Sequence, residues 1–111
     1  MKKLLVALLM VPAIARAEFW SGNDLYAKLG SAEVTDRIQG LGYVMGIYDA
    51  QVHVIFCPPT EQGINAGQVK DMVYQYLNVY PGQRHRQAYA LVSETFRAVW
   101  PCQNKNPGRG A

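Results

Sequence analysis

Apolar residues recur at spacings of three and four along the second half of the chain, and this places them on helical stripes. Val69, Met72, Val73, Tyr76, Leu77 and Tyr80 form one stripe. Asn65 with Gln68 supplies a reciprocal capping pattern at its start, and Pro81-Gly82 ends it. Ala88, Leu91, Val92, Thr95, Phe96 and Val99 repeat the period, and Pro101 stops that helix just before Cys102. Upstream, Val34, Ile38, Leu41, Met45, Tyr48 and Val52 keep near-helical spacing, with Val44 and Ile47 widening the face, so a central helix is predicted over residues 32–55. Gly40, Gly42 and Gly46 each weaken that helix by up to about 1 kcal/mol relative to Ala, and close packing is the expected compensation. A short helix over residues 23–29, with Ser21 or Asn23 as N-cap, completes the set. Residues 52–56 also read as a strand, being β-branched and aromatic, but they have no visible pairing partner. The expectation is an all-α, small four-helix domain.

The ends of the chain follow other rules. Lys2 and Lys3 precede an apolar run over residues 4–14, and Ala15-Arg16-Ala17 follows, which are the three parts of a signal peptide over residues 1–17 with its cut after Ala17. That run is too short for a bilayer core needing about 20 helical residues, and no cysteine lies near the cut to carry a lipid. The net charge of +3 falls to neutrality once Lys2, Lys3 and Arg16 are removed, leaving eight Lys and Arg against eight Asp and Glu. A basic footprint for nucleic acid is then absent. Residues 18–102 read as one helical domain, and residues 103–111, polar and rich in Gly and Pro, as a disordered tail. In an oxidising compartment Cys57 and Cys102 are expected to pair, which removes both thiols from the inventory of nucleophiles.

Little in the sequence points to catalysis, a metal or a cofactor. His53 lies four residues before Cys57, one helical turn, but two ligands do not make a zinc site and an oxidised cysteine does not coordinate. Asp49 sits among apolar residues, either as a general base or as an acceptor for a neighbouring helix end or tyrosine. Glu61 and Glu94 are far apart, with no sign of an acid–base pair. Arg84-His85-Arg86 falls near the start of the last helix, where the dipole disfavours cations, so a partner carboxylate or acidic surface is one explanation and a solvated turn the other. Tyr74, Tyr89, Phe19 and Trp20 lie off the apolar stripes, as interface anchors, a homodimer seam or ordinary packing.

The run Gly42-Tyr43-Val44-Met45-Gly46-Ile47-Tyr48-Asp49-Ala50, then Phe56-Cys57-Pro58, then Gln68, Tyr76-Leu77, Pro81, Arg84-His85, Ala88 and Trp100-Pro101-Cys102, resembles the type VI secretion amidase immunity proteins of Tai and Rap type. The resemblance covers nearly all of the chain after the signal segment. It implies a small all-α periplasmic protein, often dimeric, that occludes the Cys-His site of a peptidoglycan amidase and performs no chemistry itself. That family commonly carries a second disulfide, whose places here correspond to Leu29 and Gly40, implying a looser first helix and a divergent member.

The expected contact surface is the loop over residues 58–63, naming Pro58, Pro59, Glu61 and Gln62, together with Tyr80, Arg84 and His85. The loop follows the disulfide, which lowers the ordering cost of binding. Relatives beside phage lysis genes make a phage or host cell-wall lytic enzyme an alternative target. A periplasmic holdase is a further alternative, for which 17% charged residues and two histidines give little support.

Overall fold

Two of the helices start in the same way. In the computed structural model, which describes residues 19–59 and 63–103, Ser21 Oγ accepts from the Asp24 amide at 3.1 Å while Asp24 Oδ2 accepts from the Ser21 amide at 2.9 Å. Asn65 and Gln68 repeat the exchange, both bonds at 2.9 Å. Each cap satisfies donors that a helix start leaves open. Among the described residues the four helices are α1 (Gly22–Leu29), α2 (Val34–Gln51), α3 (Ala66–Val79) and α4 (Ala88–Val99), with one 3-10 turn (Pro81–Gln83) between the last two. Among the described residues there is no strand beyond two isolated bridges, Ser21 with Gln87 and Val52 with Phe56. None of these helices is long and apolar enough to cross a membrane. Residues 1–17, which the sequence reads as a signal peptide, lie outside the described residues, as do Glu18, Thr60, Glu61, Gln62 and the tail beyond Gln103.

The central helix is shorter than the pattern predicts. It ends at Gln51 and not at Ile55, and the chain reverses through His53, which adopts a left-handed φ of 64°. Val54 and Ile55 donate back to the Gln51 carbonyl, and the His53 amide donates to the Phe56 carbonyl at 2.6 Å. The physical reason is Phe56. On a continued helix it would fall about five turns after Ile38 and point the same way, and Ile38 is 61% exposed. The reversal instead buries Phe56 completely.

The expected α2 stripe holds over its second half and fails over its first. Met45, Ile47, Tyr48 and Val52 pack partly on the core beside buried Val44, whereas Val34 is 57% exposed and Ile38 faces solvent with it. Gly40 sets this face: a Cβ there would stand 2.8 Å from Leu29 Cδ2 and 3.3 Å from Lys28 Cβ, so Leu29 seats directly against the bare helix backbone. Gly42 and Gly46 meet open space, so close packing compensates one of the three glycines. The core comprises Leu25 and Leu29 of α1, Val44 of α2, Phe56, Val69, Val73 and Leu77 of α3, and Ala88, Leu91, Val92 and Phe96 of α4.

Cys57 and Cys102 form the expected disulfide, with Cα atoms 4.8 Å apart, and the Cys57 amide donates to the Trp100 carbonyl at 2.8 Å. Beside it Tyr48, Phe56, Phe96 and Trp100 make one aromatic cluster, with Phe56 and Phe96 centroids 4.7 Å apart. At the other side of the molecule α1 is held without a covalent bond. Trp20 stacks on Tyr43 at 4.8 Å, Tyr26 on Tyr74 at 5.1 Å, and the Tyr26 hydroxyl donates to Asn78 Oδ1 at 2.8 Å. These contacts, with Leu29 on Gly40, fasten the helix that the resemblance implies to be loose.

Two outcomes follow for stability. At Gly22 a Cβ would meet Leu91 Cδ1 at 2.5 Å and the Arg84 carbonyl oxygen at 2.8 Å, so Gly22→Ala lowers unfolding free energy by about 1–3 kcal/mol. Gly42→Ala, facing open space, raises it by up to about 1 kcal/mol; urea melts of the two variants should therefore move in opposite directions. Removing the disulfide, whose cysteines are 45 positions apart, costs on the order of 4 kcal/mol in the loop-entropy account, read as the difference between melts with and without reductant.

Candidate partner-binding surface

The connection between α3 and α4 is fixed from inside and decorated outside. Tyr80 closes α3 by donating its amide to the Tyr76 carbonyl at 3.0 Å, and Gln83 and Arg86 continue the turn by donating to Tyr80 and Gln83. From the other side the Asn23 and Gly22 amides donate to the Arg84 and Arg86 carbonyls, both at 2.8 Å. The Ala88 amide donates to the Trp20 carbonyl at 2.9 Å. These donors belong to the first turns of α1 and α4, so the same bonds fill open helix ends and hold the connection.

The cations of this turn have internal partners. Arg84 Nε donates to the Leu77 carbonyl at 2.8 Å, at the negative end of α3, and its guanidinium lies 3.9 Å from the Tyr26 ring centroid. Arg86 makes a two-nitrogen pair with the Glu94 carboxylate and also donates to Gln83 Oε1 at 3.0 Å. The carboxylate that the arginine cluster calls for is thus Glu94 of the same chain, and the dipole argument attaches to the end of α3 and not to the start of α4. Sequence reading missed this because Arg84 and Leu77 belong to segments it treats separately. The seven-residue gap across a Pro-Gly stop was the available signal.

Tyr80 is 52% exposed and its ring packs on Tyr76 at 4.9 Å, while His85 is exposed with Nδ1 3.1 Å from the Gly82 carbonyl. The other expected contact residues do not join them. Pro58 is buried and Pro59 half-buried, directly after Cys57 at the disulfide, whereas Tyr80 caps the C-terminal end of α3. That helix of 14 residues puts Tyr80 about 20 Å along its axis from the N-cap Asn65. Glu61 and Gln62 lie outside the described residues.

Next to Tyr80 runs an apolar groove of about 390 Å³ between α3 and α4, bordered by Met72, Tyr76, Val79, Ala98 and Val99. The pattern assigns Val99 to the buried stripe, yet it is exposed, standing at the last position of α4 on the rim of this groove. Tyr74 and Trp20, off the stripes, are half-buried in aromatic stacks, while Phe19 and Tyr89 are exposed. His53 and Asp49 are exposed, Asp49 being clear of the apolar side of α2. Among the described residues no three His, Cys, Asp or Glu side chains assemble to hold a metal ion.

A protein-family model described as Rap1a immunity proteins matches residues 21–102, a span that takes in all four helices and both cysteines. No curated protein matches the chain.

The pair with Arg86 holds the Glu94 carboxyl below its usual range, chiefly through its hydrogen bonds. A depressed carboxyl stabilises the fold above its unfolded value of about 4 and loses that contribution as pH falls through the folded value. Glu94→Gln should therefore be less stable than the parent at pH 7, with the difference shrinking towards pH 2, as read by thermal melts across that range.

Proposed function

The chain belongs to the Rap1a immunity protein family, and on that premise we propose that it binds and inhibits a peptidoglycan amidase in the periplasm by covering the enzyme's catalytic cleft. The observation that supports this reading is the turn between α3 and α4. Its backbone is pinned by α1, its arginines are engaged internally, and it offers Tyr80 and His85 to solvent. A preformed turn binds at little ordering cost, and a tyrosine is a favoured anchor for such contacts. The apolar groove beside Tyr80 extends the footprint along α3 and α4.

Occlusion asks nothing of the inhibitor except shape and stability. The disulfide suits an oxidising compartment, and residues 1–17 have the composition that delivers a chain there. Tyr80 and His85 form the centre of the proposed contact. Arg84 acts through the turn it holds, and Pro58 and Pro59 lie beside the disulfide, away from it.

The test uses the chain from residue 18 onward, purified in its oxidised form, and a Cys-His peptidoglycan amidase encoded beside it. Muropeptide release should fall in proportion to inhibitor added until the two are equimolar. Tyr80→Ala and His85→Ala should each raise the inhibition constant about tenfold or more, about 1.4 kcal/mol of binding free energy, with unchanged melts. Full inhibition by both variants would remove the turn from the contact, and cleavage by the chain alone would replace the inhibitor reading with an enzymatic one.

A further inference from the structure

A second exposed surface is untouched by that reading. The outer side of α2 carries Val34 and Ile38, both largely exposed, and these line a groove of about 350 Å³ with Arg37, Leu41, Gly67 and Lys70. Gly67, in the first turn of α3, adds no side chain to that wall. Among the described residues the lining is therefore three aliphatic residues and two cations, with no carboxylate. Arg37 spends one nitrogen on the Ser31 carbonyl at 2.8 Å, and among the described residues Lys70 pairs with a neighbouring surface carboxylate, Asp71, at 3.1 Å. Such an adjacent exposed pair contributes little and exchanges readily for another acceptor.

We propose that this groove takes a helical segment of the protein partner in which aliphatic side chains alternate with carboxylates. The inference rests on the chain's having a protein partner. Val34, Ile38 and Leu41 bury the aliphatic side chains, as an amphipathic helix is buried in a groove. Arg37 and Lys70 at the rim meet the carboxylates, selecting an acidic segment over a basic one and hastening encounter. The groove lies on α2 and the start of α3, whereas Tyr80 stands at the far end of α3. One partner gripping both would be held at two separated points.

The probes are two short peptides with leucines at helical spacing, separated by glutamates in one and by lysines in the other. Titrated into the full oxidised chain, the glutamate peptide should shift the Val34 and Ile38 methyl signals and the Gly67 and Lys70 amide signals saturably. Ile38→Asp, and separately the Arg37→Glu, Lys70→Glu double variant, should weaken that binding about tenfold or more, and added salt should weaken it further. All these positions are exposed or half-buried, so unchanged melts confirm that the variants fold. No saturable shift, an equal response to the lysine peptide, shifts confined to the Tyr76 and Val79 groove, or preferred binding to phosphatidylglycerol vesicles would each overturn the proposal. A negative peptide result leaves amidase inhibition standing, and failure to inhibit an amidase leaves the peptide result readable on its own.

Discussion

The burial of Phe56 governs one end of this molecule. To bring that ring beneath Tyr48, Phe96 and Trp100, α2 must stop at Gln51 and the chain must turn back on itself, at the expense of a left-handed histidine. A non-glycine residue in that region costs of order 1 kcal/mol or more. Burying a phenylalanine contributes about 1.5–3 kcal/mol and ring pairing adds to it, so the exchange favours the reversal. Cys57 is the next residue, and its bond to Cys102 keeps the ring's flanking backbone against the end of α4. The disulfide is therefore part of the core's geometry as well as a restraint on the unfolded chain.

The opposite end is organised by main-chain hydrogen bonds. The residues that begin α1 donate into the connection before α4, and the residue that begins α4 donates into the strand-like segment before α1. Arg84 completes the arrangement through a carbonyl of α3 and a ring of α1. Three helices thus meet at one turn, and at Gly22 the start of α1 lies so close to Leu91 of α4 and to the Arg84 backbone that no side chain fits.

The sequence made much of this legible, for reasons that can be stated residue by residue. The Asn65–Gln68 and Ser21–Asp24 caps depend on neighbours in sequence, and so do the α3 and α4 periods and the stops at Pro81 and Pro101. The pairing of the two cysteines needed only their number and an oxidising setting. What escaped notice depends on distant contacts. The continuing apolar pattern of residues 52–56 hides the reversal, because only the fold reveals which side of α2 is buried. Gly40 and Gly42 look alike along the chain, yet one receives Leu29 and the other faces open space. The arginines of the turn appeared free because Tyr26, Leu77 and Glu94 come to them from three different helices.

The turn's hydrogen bonds run through peptide groups, and this bears on how the protein changes over generations. A backbone amide donates to a backbone carbonyl whatever side chains the two residues carry. Tyr80 and His85 can therefore be exchanged with little penalty to the frame that presents them, and Gly82 has open space around it for a larger residue. Substitutions on the outer face of this turn change what it presents, while Gly22, Arg84 and Phe56 keep the frame beneath it. What is held and what is shown thus fall to different atoms of the same few residues.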